Sequence, residues 1–128
     1  MKYTAIYASV FALFYLGLAY NVIRHRWRAR VVIGDGGDAG LIRAIRVHAN
    51  AAEYVPLALL LIGMYELNSG NITLVNGLAI SLLIARVLHL LGLGRTSGRS
   101  KGRYYGTLIT WIVIAAVSIG NILNPLLG

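Results

Sequence analysis

The sequence predicts an all-α fold, an integral membrane four-helix bundle, and three observations carry that expectation. Hydrophobic residues make up 58% of the 128-residue chain and charged residues only 12%, a balance rarely met in a soluble domain. Four apolar stretches, each near the roughly 20 residues that a helix needs to cross about 30 Å of hydrocarbon, account for most of the chain. Between them the Lys and Arg residues gather in the first and third connections, which four successive spans put on one side of the bilayer. Little is left over for a second domain, so residues 1–128 read as a single membrane domain.

The first stretch, Tyr3 to Ile23, carries no charge. Its apolar part is too long for a cleaved signal and no small-residue cleavage site leads into a soluble domain, so it reads as a retained span. Arg24, Arg26, Arg28 and Arg30 follow, and then Val31-Val32-Ile33-Gly34-Asp35-Gly36-Gly37-Asp38. That segment ends in turn residues, with Asp38 a helix N-cap candidate. Its glycines are not a phosphate loop, because no Gly-Lys-Ser/Thr follows. Exposed backbone amides here and at the start of the second helix could still help to hold an anionic ligand.

The second stretch runs from Ala39 to Leu67, the third from Ile72 to Leu93 and the fourth from Tyr104 to Leu123, with Arg95, Arg99, Lys101 and Arg103 in the third loop. The N-terminal segment offers only Lys2, and the second loop and C-terminal tail offer no Lys or Arg. The positive-inside rule therefore places loops one and three in the cytoplasm and both ends on the opposite side. Tyr3, Tyr7 and Tyr65 fall near the outer boundary and Tyr20, Trp27, Tyr104 and Tyr105 near the inner one, while Trp111 lies deeper, where packing suits it. The net charge of +8 is thus a topology signal, and no nucleic-acid motif accompanies it. The chain has no cysteine, which removes disulfides, thiolate metal sites and a cysteine nucleophile, so any thiol chemistry must use a thiol from the substrate.

The second stretch departs from the others, with Arg43, Arg46, His48, Asn50 and Glu53 in its first half. A helix of that length measures about 43 Å, longer than the hydrocarbon, so its first turns project into the headgroup region. Glu53 lies about 15 Å beyond Arg43 along the helix and is too short to snorkel, so it needs a partner or a water-filled cavity. An ionisable residue at that depth marks a candidate functional site. At 100° per residue Arg43, Arg46, Asn50, Glu53 and Tyr54 share an arc of roughly 100°, one polar stripe that should face protein or water. Pro56 has two readings: a kink that opens space for a ligand, or an ordinary membrane-helix proline whose freed carbonyl neighbours satisfy. Arg86 and His89 sit three apart near the cytoplasmic end of the third span, where snorkelling and the helix dipole favour a cationic end on structural grounds alone and a ligand role is the alternative. His25 and His48 read as interfacial or packing residues, and the three histidines lack metal-ligand spacing, so no metal is expected.

The stretch Arg46-Val47-His48-Ala49-Asn50-Ala51-Ala52-Glu53-Tyr54-Val55-Pro56 reads R-x-x-x-N-x-x-E-Y-x-P. It resembles the signature of the membrane-associated proteins in eicosanoid and glutathione metabolism, the MAPEG family. Gly34-Asp35-Gly36-Gly37 and Arg86-Val87-Leu88-His89-Leu90-Leu91-Gly92 look like the small bacterial inner-membrane branch. The resemblance implies a homotrimer in the inner membrane with periplasmic termini, binding glutathione as cosubstrate between adjacent subunits, near the cytoplasmic face and open to the bilayer. It implies a glutathione-dependent transferase or peroxidase that acts on lipophilic electrophiles or lipid hydroperoxides.

Carried over by position, Arg46, Asn50, Glu53 and Tyr54 would hold the polar ends of glutathione, with Arg86 and His89 completing the binding set. Arginine clamps a carboxylate with two parallel hydrogen bonds, and Glu53 can take the ammonium group. Arg103 resembles the arginine that favours the thiolate in eicosanoid-forming relatives, the catalytic role, with Arg99 a competing alignment. Two departures stand out: His89 and Leu93 occupy positions where those relatives carry tyrosines. Two other readings compete. One is a non-catalytic membrane binding or structural protein of the same fold, with Glu53 paired to arginine across a subunit interface. The other is a small multidrug or ion transporter using Glu53, against which the surrounding arginines argue.

Overall fold

The computed structural model describes residues 1–95 and 100–127, the side chains of residues 93–95 excepted. Leu93, Arg95 and Arg99 of the sequence reading, as side chains, lie outside the described residues. Four helices and no strand occur among those described: α1 (Lys2–Ala29), α2 (Ala39–Leu67), α3 (Ile72–Arg95) and α4 (Lys101–Leu127). All four are long and apolar enough to cross a membrane. Helix is the form such segments must take, because hydrocarbon offers no water and each backbone N–H and C=O has to be satisfied within the segment. The protein is an all-α integral membrane bundle.

The second helix has the bounds its sequence predicts. The first and fourth outrun their expected spans of residues 3–23 and 104–123, since hydropathy marks where the hydrocarbon ends and not where the helix does. Arg24 to Ala29 continue the helical hydrogen bonding, and α1 stops only when Arg30 turns left-handed at φ 55°, its N–H donating to the Arg26 carbonyl. Pro56 sits inside an unbroken α2.

The helices α2 and α3 form the middle of the bundle, with α1 and α4 flanking them and no contact between α1 and α4 among the described residues. The main core joins Phe11, Val55, Ala58, Ile62, Tyr65, Leu82 and Val113, in the half of the bundle nearer the short α2–α3 connection. Toward the arginine-rich loops a smaller cluster of Leu18, Val47 and Ala51 takes over. Here polar side chains, Arg86 and His89 among them, share the interior.

Helix ends are closed by side chains. Asp38 caps α2, its carboxylate accepting from the Leu41 N–H at 2.7 Å, as its position predicts. Asn71 accepts from Thr73 and Leu74 at the start of α3, and Ser100 accepts from the Arg103 N–H at the start of α4. The first turn of α1 is capped from another helix. Glu66, near the end of α2, accepts from the Tyr3 N–H at 2.9 Å, the Thr4 N–H at 2.7 Å and the Thr4 hydroxyl at 2.6 Å. It also lies 3.5 Å from the Met1 ammonium.

The α3–α4 pair comes closest at Gly106. A Cβ there would stand 2.6 Å from the Ala85 carbonyl oxygen, 2.8 Å from the His89 nitrogen and 2.9 Å from the His89 Cβ. Small residues at membrane helix contacts allow this backbone approach, which van der Waals packing then stabilises.

Candidate functional site

The spacing of the α2 stripe and the α3 pair brings four of the predicted residues into direct or near contact. Arg86 donates through Nη1 to the Asn50 Oδ1 at 2.5 Å, joining α3 to α2. Its guanidinium carbon lies 6.0 Å from the centroid of the Tyr54 ring, at the outer reach of a cation–π contact. One turn further along α3, His89 is walled in by the α4 backbone at Gly106. Arg46, Arg86 and Arg103 all lie close enough to His89 to act on it electrostatically. The positions chosen from three separate stretches of sequence therefore form one cationic locality.

Burial divides the set. Arg86 and His89 are 2% and 3% exposed, and Asn50 and Tyr54 are half-buried, whereas Arg46, Glu53 and Arg103 lie on the outside of the chain. Glu53 is the fifteenth of the 29 residues of α2, about 21 Å from either end. It makes no hydrogen bond or ion pair with any described residue. On Arg86, Nε and Nη2 are buried without a partner among the described residues. A buried donor on a charged group costs several kcal/mol when left unpaired, roughly, and most in hydrocarbon. Glu53 lies one turn along α2 from Asn50, the residue that Arg86 holds.

The structure bears on the two readings of Pro56 and corrects the packing expected of Trp111. A crevice of about 490 Å³ runs beside Pro56, but it opens between α1 and α2 and is lined by apolar residues such as Phe11, Tyr15, Val55 and Leu59. It lies away from the polar stripe. Trp111 does not pack inside the chain. It stands on the outer face of α4, where it lines an open groove of about 910 Å³ with Arg103, Tyr104 and Leu108.

The remaining histidines take packing roles. The His48 ring stacks on Tyr15 with centroids 4.5 Å apart, and the His25 Nδ1 lies 2.8 Å from the Asn21 carbonyl oxygen. No group of three His, Asp or Glu that could hold a metal occurs among the described residues. The glycine segment is a turn, with Gly34, Gly36 and Gly37 at positive φ and the Asp35 carboxylate accepting from the Gly37 N–H at 2.9 Å. Glu66 is the functional-looking carboxylate that sequence reading overlooked. Its partners are mainly backbone N–H groups of α1, which no side-chain pattern in the sequence records.

A family model described as the MAPEG family matches residues 4–123. The chain belongs to the MAPEG family. It is similar to the inner membrane protein YecN of Escherichia coli strain K12, with 34% identity over 119 residues covering 93% of this chain and 89% of that protein. The YecN of Escherichia coli O6:H1 strain CFT073 matches to the same extent. In this MAPEG chain the R-x-x-x-N-x-x-E-Y-x-P stretch is the outward polar stripe of α2, and Arg86 is the buried cation behind it.

Proposed function

We propose that this protein is a homotrimeric inner-membrane enzyme that activates glutathione at a site between adjacent chains, for transfer to lipophilic electrophiles or reduction of lipid hydroperoxides. The observation that carries the reading is the unmatched polar surface: Glu53, exposed at mid-helix without a partner among the described residues, and one turn before it Asn50, which holds the buried Arg86, two of whose nitrogens are unpaired among those residues. Glutathione has two carboxylates and one ammonium group, and its chemistry complements that set. Arg46 and Arg86 would take the carboxylates, Glu53 the ammonium group, and Asn50 and Tyr54 would supply neutral hydrogen bonds. A neighbouring chain laid over the stripe would remove Glu53 from lipid and close the site from one side.

Arg103 would then do the chemical work. It occupies the first turn of α4, fixed by the Ser100 cap, and it heads the groove that descends past Tyr104 and Leu108 to Trp111. A guanidinium beside the thiol favours the thiolate, each tenfold gain in the anion corresponding to about 1.4 kcal/mol. The thiolate sulfur attacks the electrophilic atom of a substrate that arrives laterally from the bilayer, forming a thioether. With a hydroperoxide it attacks the terminal oxygen, the O–O bond breaks to release the alcohol and leave a glutathione sulfenic acid, and the thiol of a second glutathione then displaces water from that sulfur to give the disulfide. The loops that carry the arginines face the cytoplasm in this reading, where glutathione is supplied.

Ultraviolet difference spectroscopy of glutathione bound to the reconstituted protein tests the assignment. The expected outcome is a thiolate band near neutral pH with the wild type and its loss in Arg103→Ala at unchanged glutathione occupancy. A band that survives the substitution takes the activating role away from Arg103.

A further inference from the structure

At about 42 Å, α1 outruns the hydrocarbon by roughly 12 Å, or about two turns. Its first turn is held by Glu66, so the excess projects on the side of the arginine-rich loops. There Tyr20, Ile23, Arg24 and Trp27 fall at helical spacing and are all exposed. They form one exposed stripe of two amphipathic rings, one aliphatic and one cation.

The loop beyond this stripe is ordered by its own bonds. Arg26 donates through Nη1 to the Gly34 carbonyl at 2.7 Å, and the Val31 N–H donates to the Arg26 carbonyl at 3.1 Å. Val31 folds over Gly36, where a Cβ would meet the Val31 Cγ2 at 2.5 Å. Asp35 closes the turn by accepting from the Asp38 N–H through its carbonyl at 3.0 Å. With Val31 turned in, Val32 and Ile33 are turned out, at 87% and 89% exposure. Two branched aliphatic side chains are thus presented by a built loop.

The charges at this corner are unmatched. The side chains of Arg28 and Arg30 make no hydrogen bond or ion pair among the described residues. No carboxylate occurs between Arg24 and Gly34, and Asp35 and Asp38 are occupied in capping backbone amides. Cations, amphipathic rings and two protruding aliphatics together complement a surface with anionic groups outside and hydrocarbon beneath. Arginine takes a phosphate with two parallel hydrogen bonds, Tyr and Trp settle at headgroup level, and the exposed aliphatics of the loop pack against the headgroup layer. A second copy laid on the same corner would set arginine against arginine, and free phosphate would leave Val32 and Ile33 unexplained.

We propose that the end of α1 and the following loop, through Arg24, Arg28, Arg30, Trp27, Val32 and Ile33, form a docking surface for the headgroups of anionic phospholipids.

The absence of cysteine makes a clean reporter possible. Val32→Cys carries a polarity-sensitive thiol dye in the full chain, reconstituted into vesicles of phosphatidylcholine alone or mixed with phosphatidylglycerol. The expected result is a blue-shifted dye in the anionic vesicles, better shielded from an aqueous quencher than in phosphatidylcholine alone, the affinity of the corner for anionic headgroups rising about fivefold for each arginine engaged. Arg24→Gln, Arg28→Gln and Arg30→Gln together should abolish that difference. Should the triple variant fail to fold, Arg28→Gln alone reads the same effect, since that side chain has no partner to lose. Equal shielding in the two vesicle types overturns the proposal. So does cross-linking of Val32→Cys to another copy, or loss of the lipid difference in millimolar inorganic phosphate, which would assign the surface to a second chain or to free phosphate.

Discussion

Two buried charged residues, Arg86 and Glu66, show how differently such groups can be accommodated. Glu66 accepts three hydrogen bonds from the first turn of α1, so its carboxylate closes a helix end that would otherwise be open. Glu66→Ala should lower stability in detergent by about 2–3 kcal/mol, the cost of orphaning those donors, as read by a thermal unfolding curve. Arg86 is matched at Nη1 and open elsewhere, the pattern of a group kept for a ligand. Replacing a poorly satisfied buried cation by an apolar side chain of similar volume is often neutral or stabilising. Arg86→Met should therefore keep the unfolding transition within about 1 kcal/mol of wild type, while weakening glutathione binding at least tenfold. A large fall in stability with unchanged binding would make Arg86 a structural residue. The stripe from Arg46 to Tyr54 was legible because side chains three and four apart share a helix face. Glu66 was not, because its partners are mainly backbone N–H groups on a helix sixty residues earlier, which no side-chain pattern records.

Helix ends tested the sequence reading harder than helix cores. The ends of α2 were legible because an N-cap aspartate opens it and a short polar connection closes it. Those of α1 and α4 were not, since Arg24, Arg26, Arg28 and Ala29 beyond one span and Lys101 and Arg103 before the other are good helix formers that hydropathy counts as loop. The dependence of α3 and α4 on one another rests on Gly106, where even a methyl group would meet the Ala85 carbonyl and the His89 backbone. Gly106→Ala should cost about 1–3 kcal/mol as the helices are pushed apart, and should disturb His89. Gly77→Ala is the control, because nothing stands within 4 Å of a Cβ there. It should be neutral or stabilising by up to about 1 kcal/mol in the same unfolding measurement.

As a whole, the single chain leaves an ionisable side chain facing outward at the centre of a membrane helix. That arrangement is costly in lipid, and the proposed neighbouring copy over α2 would relieve it. Native mass spectrometry from mild detergent should find trimers. Ala52→Cys, exposed beside Glu53 in a chain with no other thiol, should cross-link chains within them; monomers alone would contradict the assembly. The sequence displayed the four spans and the polar stripe through hydropathy and spacing. The proposed symmetry has no such signal, because residues that would meet across an interface between copies leave no period within one chain.

The central claim is that the face carrying Arg46, Glu53 and the buried Arg86 holds glutathione, and calorimetric titration of glutathione into the purified oligomer tests it most directly. The account predicts saturable binding that Arg46→Ala and Glu53→Gln each abolish while the oligomer stays intact. No heat of binding at millimolar glutathione with folded wild-type protein would contradict it, and would leave the polar stripe as a lock between chains.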